Sequence, residues 1–159
     1  MRIAVACVGR LKERYMREAV AEYVKRLSRY AQTEILEAPD EPAPERLSDA
    51  QRAQVVEREG ERLLANIGAR DLVAALCIGG TRHSSEGFAK AMEGWLGGGY
   101  ARIVFVIGGS LGLSPAVLSR ADVKLSLSDM TFPHQLARII LLEQIYRAFK
   151  INGNEPYHK

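Results

Sequence analysis

Short apolar segments that alternate with amphipathic helical segments constrain the fold of this chain more than any other feature. Three of them are apolar almost throughout: "IAVACV" at 3–8, "LVAALCI" at 72–78 and "RIVFVI" at 102–107. Strands of this kind are buried on both faces, which is typical of a parallel sheet covered by helices on each side. Two weaker strands are predicted at 33–36 and 123–127. The sequence therefore predicts an α/β fold with helices on both faces of a parallel sheet.

Helices are predicted between these strands, and several have an identifiable first residue. Ser48 and Gln51 form a capping-box pattern at the start of the second helix. The longest helix is predicted from Thr131 to Lys150, with Pro133 in its first turn and Glu143 one turn before Arg147. The remaining helices are expected at 12–30, from Ser84 or Ser85 to Trp95, and from Ser114-Pro115.

The 159 residues show no repeat and no low-complexity segment, so one domain over 1–159 is expected. No apolar run approaches the ~20 residues of a membrane span, and the N-terminal segment is interpreted as a strand rather than a signal peptide. Cys7 and Cys77 lie inside apolar strands and are interpreted as small buried hydrophobes, without metal-ligand spacing. A cytoplasmic protein without metal or membrane partner is expected.

The net charge of +3 and the isoelectric point near 9.0 permit a nucleic-acid partner without requiring one. The basic residues are concentrated early in the chain, where Arg10, Arg14 and Arg17 would share a helix face. Two interpretations stay open at this stage, a solvated helix face and a stripe that contacts phosphates. The stripe would continue through Lys25, Arg26 and Arg29.

Three predicted strand ends carry small or polar residues: Gly79-Gly80, Gly108-Gly109 and "SDMTFPH" at 128–134. Ligands of open α/β sheets bind beyond the carboxyl ends of the strands, so these segments predict a crevice. The G-G-x-x-G pattern at 108–112 has neither the spacing of a dinucleotide fingerprint nor the Lys-Ser/Thr of a P-loop. Asp129 follows at the distance of a ribose-binding acid, but the glycine spacing does not fit that role. From spacing alone, a structural turn and a binding loop both remain open.

Polar chemistry is also concentrated in the last thirty residues, which include His134, Arg138, Tyr157 and His158. A chain that ends "NEPYHK" after a long helix would ordinarily fray. Proline, tyrosine and histidine together are unusual in a solvated tail. A frayed end and an element of a site are therefore both possible.

Several long motifs make the sequence resemble the RlmH family, small methyltransferases of the SPOUT superfamily that modify pseudouridine in 23S ribosomal RNA. The resemblance rests on "FVIGGSLGLSPAVL", "LSDMTFPHQLARIILLEQIYRAFKI" and "PYHK", with "IAVACVGRLKERY" and "LCIGGTRHSSEGFA" earlier in the chain. It covers nearly the whole chain. Thr81 departs from the pattern, because a lysine is common at that position.

The resemblance implies a C-terminal trefoil knot, a feature that propensity does not reveal and that is rare among folds. It also implies that S-adenosylmethionine binds in the knot. Glycine would permit the close backbone approach that adenosine needs, and no phosphate is involved. The implied cofactor-binding residues are Leu76, Gly108, Leu127, Ser128, Asp129, Met130, Thr131 and Phe132.

The implied reaction is methylation of N3 of the pseudouridine base, whose ring N–H must lose its proton. His158 is the first candidate for the general base, and Tyr157 would help to seat the base. His134 and Arg138 are second candidates, which would orient the cofactor or stabilise developing charge; polar contacts at the start of the last helix are an equally open role for both. The resemblance further implies a homodimer, with the helix 132–150 as a plausible interface, and ribosomal RNA or the ribosome as partner. The alternatives are a SPOUT enzyme acting on another RNA such as tRNA, and a ribosome-binding module without catalysis.

Overall fold

A computed structural model describes residues 1–157, which form a five-stranded parallel sheet in the order β2-β1-β4-β3-β5. The α/β prediction is confirmed. Within these residues no helix combines the length and apolar character needed to cross a bilayer. The strands are β1 Arg2–Val8, β2 Gln32–Ala38, β3 Leu72–Arg82, β4 Ile103–Ile107 and β5 Val123–Ser126. The helices are α1 Arg14–Leu27, α2 Asp49–Leu64, α3 Ser85–Gly97, α4 Pro115–Arg120 and α5 His134–Asn152.

The sheet has a hydrophobic core on each face, and β4 supplies side chains to both. Phe105 packs with side chains of α1, α3 and α5 on one face, whereas Val104 and Val106 pack with side chains of α2 and α4 on the other. Successive side chains of a strand point to opposite faces, so a central strand covered on both sides must be apolar throughout. This explains the uninterrupted apolar segments of the sequence.

The predicted helix starts at serine residues are confirmed. The Ser48 hydroxyl accepts a hydrogen bond from the Gln51 backbone N–H at 3.2 Å, and the Gln51 side chain accepts one from the Ser48 N–H at 2.9 Å. Ser84, rather than Ser85, caps α3, and Ser114 caps α4. These bonds satisfy N–H groups that would otherwise lack partners at the helix ends.

Helix α5 begins at His134, so the prediction that it starts at Thr131 is wrong. Phe132 precedes a proline, and the ring of that proline disfavours helical backbone angles at the preceding residue. The Ser128 hydroxyl also accepts the Met130 N–H at 3.0 Å, a local turn that competes with helix formation. Residues 127–133 are therefore an irregular segment between β5 and α5.

Strand β3 continues to Arg82, so the prediction that it ends before Gly79-Gly80 is wrong. Its pairing with β5 shifts register between Leu76 and Thr81. The two strands approach each other very closely at Gly80, a point here called the crossing of β3 and β5. A Cβ atom on Gly80 would lie 2.5–2.8 Å from backbone atoms of Leu125. A Cβ atom on Gly79 would meet nothing within 4 Å. The implied trefoil knot stays a prediction.

We predict that Gly80→Ala destabilises the protein by at least about 2 kcal/mol, because the new methyl group must displace the β5 backbone. The matched variant Gly79→Ala adds the same methyl group in open space. Urea unfolding of both variants measures the difference. Equal free energies of unfolding would show that the crossing is not tightly packed.

Candidate active site

A cleft of about 970 Å³ opens at the carboxyl edge of the sheet. It is lined by residues 76–78 in the middle of β3, by the end of β4 and the loop 108–113 after it, and by the end of β5 and the segment that follows it. Two of the three segments from which the sequence predicted a crevice, Gly108-Gly109 and 128–134, contribute to this lining. The third, Gly79-Gly80, does not line the cleft, and Leu76, Cys77 and Ile78 of β3 do so instead. The predicted cofactor-binding residues found in its lining are Leu76, Gly108, Leu127, Ser128, Met130, Thr131 and Phe132.

Asp129 is the predicted residue that does not line this cleft. Its side chain is exposed and forms an ion pair with Arg82, at the end of β3. The ion pair therefore connects the irregular segment with the end of β3, although a pair this exposed contributes little to stability. In this structure it does not occupy the position of a ribose-binding acid.

The glycine loop after β4 is a tight turn. The Gly112 N–H donates to the Gly109 carbonyl at 3.1 Å, and Gly112 has a φ of 86°, which favours glycine. Gly108 is buried, and a Cβ atom there would lie 2.6 Å from the Gly112 carbonyl oxygen. Glycine is thus required at 108 by the closure of the loop itself. The turn places backbone, rather than side chains, along one wall of the cleft.

The cleft wall is mainly apolar, with serine and threonine hydroxyls and one arginine, Arg52 of α2. Within residues 1–157 no lysine lines the cleft, and no three His, Cys, Asp or Glu side chains are grouped to hold a metal ion. Such a wall fits an uncharged nucleoside better than a polyphosphate. Cys77 lines the cleft and is only partly buried, so its interpretation as a small buried hydrophobe is wrong, whereas Cys7 is buried as expected. Arg52 and Ile78 also line the cleft; Ile78 lies inside the motif "LCIGGTRHSSEGFA" without having been singled out, whereas no motif in the sequence pointed to Arg52.

His134 stands at the first position of α5 and lines the cleft. Burial, reinforced by the positive charge of Arg138, lowers the pKa of His134 below its usual range, with Asp40 acting in the opposite direction. The imidazole is consequently neutral at neutral pH. A neutral imidazole can accept a hydrogen bond from a ligand in the cleft.

Arg138, one turn further along α5, is fully buried and does not line the cleft. Its Nη1 donates to Glu37 Oε1 at 2.7 Å and its Nη2 to the Gly9 carbonyl at 3.2 Å, whereas Nε has no partner among the described residues. The guanidinium therefore joins α5 to the ends of β1 and β2. Nearby, burial raises the pKa of the Cys7 thiol to about 11 and keeps it protonated.

Tyr157 packs on its own α5, away from His134. Its hydroxyl lies 3.3 Å from Glu143 Oε1, its ring meets Tyr146 edge-on at 5.0 Å, and the Arg147 guanidinium lies 4.7 Å from its ring centre. Position 157 is thus packed rather than frayed, but it does not line the cleft of the same chain. His158 lies outside the described residues.

Comparison with known proteins gives a match over almost the whole chain. The family described as "Predicted SPOUT methyltransferase" matches residues 1–158. Proteins from Bifidobacterium animalis subsp. lactis and Carboxydothermus hydrogenoformans are each 55% identical to this chain, and one from Exiguobacterium sibiricum is 54% identical. Each alignment covers 100% of both chains, and each relative is named "Ribosomal RNA large subunit methyltransferase H".

A solved structure shares the fold. It is described as "a probable methylase family protein" from Haemophilus influenzae and aligns with a TM-score of 0.56 at 14% sequence identity. The alignment covers 99% of this chain and 70% of the other. At this identity the likeness concerns the fold alone.

We predict that Glu37→Ala destabilises the protein by about 2–3 kcal/mol, because it leaves the buried Arg138 cation without its carboxylate. This loss in the free energy of unfolding is smaller than that for breaking a fully buried ion pair, because the Glu37 side chain is 33% exposed. Urea unfolding measures it, with Glu57→Ala on the exposed face of α2 as the control. Equal losses in the two variants would contradict a stabilising role for this pair.

Proposed function

The chain belongs to the SPOUT methyltransferase family, and on that premise we propose that it transfers a methyl group from S-adenosylmethionine to N3 of a pseudouridine in large-subunit ribosomal RNA. The observation that carries the proposal is the full-length likeness, at 52–55% identity, to proteins named ribosomal RNA large subunit methyltransferase H. The substrate would be the cytoplasmic ribosome. The cleft lined by residues of β3, β4 and β5 is the proposed site of transfer.

The residues of the cleft fit the proposed cofactor. S-adenosylmethionine supplies an electrophilic methyl group on its sulfonium. Leu76 and the apolar residues after β5 would contact the adenine, and the backbone at Gly108 would lie against the nucleoside. No phosphate has to be held, which agrees with a wall whose described residues are mainly apolar. The loop 108–112 is a structural turn that closes on Gly108, and its backbone would also serve as the binding wall for the nucleoside.

Two tasks remain for the protein, positioning the base and removing the proton from its N3. Positioning brings the nitrogen in line with the methyl group. We assign proton removal to His158 and the seating of the base to Tyr157. His134, neutral at the cleft, would accept a hydrogen bond, and Arg138 would position α5 without touching the substrate.

The proposed enzyme is a homodimer. Ile78 and Met130, which line the cleft, are 74% and 76% exposed, and Leu136 on α5 is also exposed. Apolar side chains of this size at the mouth of a cleft favour an interface. Tyr157 packs along its own α5 and does not line the cleft of its own chain. The C-terminal residues 155–159, here called the tail, would therefore act in the cleft of the partner copy.

The test is methyl transfer from labelled S-adenosylmethionine to ribosomes from a strain that lacks the gene, with free ribosomal RNA and tRNA as parallel substrates. We expect label in large-subunit RNA, mapped to N3-methylpseudouridine. Transfer to tRNA alone would contradict the ribosomal substrate. Binding to ribosomes without transfer to any RNA would contradict the enzyme.

A second prediction concerns the tail. His158→Ala should lower the rate of transfer by at least about 100-fold, because it removes the proposed base. The dissociation constant for S-adenosylmethionine should not change, which calorimetry can measure. Lys159→Ala is the matched control for a change in the same segment. An unchanged rate in His158→Ala would overturn the assignment of this residue.

A further inference from the structure

Two exposed cations, Arg10 and Lys12, stand beside the cleft in the loop Gly9–Glu13 between β1 and α1, here called the basic loop. β1 pairs with β4 in parallel, with Cys7 opposite Ile107, so the basic loop leaves the sheet next to the glycine loop of the cleft. A Cβ atom on Gly109 would lie 3.3 Å from Val8. The two loops are neighbours at the carboxyl edge.

The backbone of the basic loop is held at several points. Gly9 has a φ of 80° and donates to the Ala38 carbonyl at 2.8 Å, and its own carbonyl accepts from Arg138. Leu11 is buried in the core, which leaves Arg10 and Lys12 exposed on either side of it. The surrounding bonds therefore present both cations to solvent with little freedom in the backbone.

Arg17 adds a further constraint on the same backbone. Its guanidinium donates to the Leu11 carbonyl at 3.1 Å and to the Lys12 carbonyl at 2.6 Å. Of the two interpretations of Arg17 that the sequence left open, a solvated helix face and a phosphate-contacting stripe, neither describes its contacts, because its guanidinium binds the loop. Arg10 was also expected on the helix, but α1 begins only at Arg14.

The pairing of charges separates the basic loop from two arginines of the predicted stripe, and the position of the loop at the carboxyl edge separates it from Lys25 and Arg29 near the end of α1. Arg14 pairs with Glu18 at 2.7 Å, and Arg26 pairs with Glu22 at 2.8 Å. Arg10 and Lys12 have no carboxylate partner within residues 1–157. An unpaired cation is available to a phosphate without first losing an internal ion pair. The loop is therefore a better phosphate contact than the paired arginines of α1.

An exposed aromatic side chain follows the loop directly. Tyr15, in the first turn of α1, is 65% exposed. Cations beside an exposed aromatic ring are the combination that binds single-stranded RNA, through contacts to phosphates and stacking of bases. A base reaches such a cleft either from a single strand or by being flipped out of a duplex. Stacking on Tyr15 requires an unpaired neighbouring base, so this surface favours the single strand.

We propose that the basic loop and Tyr15 bind the single-stranded RNA adjacent to the target base. Arg10 and Lys12 contact backbone phosphates, and Tyr15 stacks on a base. The proposal rests on the proposed function, because it takes RNA as the substrate of the cleft. It goes further by naming the protein surface that holds the RNA backbone.

The test measures KM for unmethylated ribosomes as a function of monovalent salt at fixed Mg²⁺, for the wild type and for Arg10→Ala/Lys12→Ala. We expect the double variant to raise KM at least about tenfold at low salt. The slope of log KM against log salt should fall by roughly 0.7 for each lost phosphate contact. The dissociation constant for S-adenosylmethionine should not change.

The matched control is Arg70→Ala/Lys90→Ala, which removes the same charge elsewhere. Arg70 is exposed just before β3 at the opposite edge of the sheet, and Lys90 is exposed on α3, on the far side of α5 from α1. We expect this control to keep the wild-type KM and salt slope. A third variant, Tyr15→Ala, should raise KM without changing the slope, because stacking involves no ion release.

The outcomes separate the two proposals. If the wild type methylates no RNA, the proposed function fails. If the wild type methylates ribosomes and both double variants have its KM and salt slope, the basic loop does not bind the RNA. A raised KM with an unchanged salt slope in Arg10→Ala/Lys12→Ala would instead indicate a ribosomal protein as the contact and would also overturn the proposal.

Discussion

The crossing of β3 and β5 at Gly80 is the constraint on which the cleft depends. Because β3 runs past its pairing with β4, its later residues reach the carboxyl edge and then pair with β5 in a shifted register. The absence of a side chain at Gly80 lets the Leu125 backbone lie against it. β5 consequently ends beside Leu76, and the segment after it closes the cleft opposite the glycine loop. A wider crossing would separate two of the three walls.

A second constraint connects this cleft to the other half of the sheet. Arg138 lies one turn from His134 and reaches Glu37 and the Gly9 carbonyl, at the ends of β2 and β1. The start of α5 is thereby tied to strands that contribute no side chain to the cleft. Burying a guanidinium is costly unless it is paired and hydrogen-bonded. An apolar side chain at position 138 would pack without the cost of burying a charge. The buried guanidinium of Arg138 therefore favours a role in orienting α5 relative to β1 and β2.

Much of the fold could be predicted from local sequence, because each signal acts over a few residues. The apolar pattern of β4 and the Ser48 capping box both concern neighbours in the chain, and both predictions are confirmed. The strand order and the length of β3 depend on pairing with β5, some fifty residues later, and periodicity contains no information on such pairing. The same limit applies to the site. The cleft-lining residues of the motif after β5 were predicted, whereas Arg52 approaches the cleft only through the packing of α2.

The distribution of charge shows why a small net charge is a poor guide to RNA binding. The chain carries a net charge of only +3, and many of its arginines are used internally, as in the Arg14–Glu18 pair and the Arg17 bonds to carbonyls. The cations available to an RNA strand at the cleft are Arg10 and Lys12, which have no carboxylate partner within residues 1–157. Phosphate binding depends on such local charge, because exposed charges are screened beyond about 8 Å at physiological salt. The position of the basic loop next to the glycine loop is therefore a stronger argument for RNA contact than the overall composition.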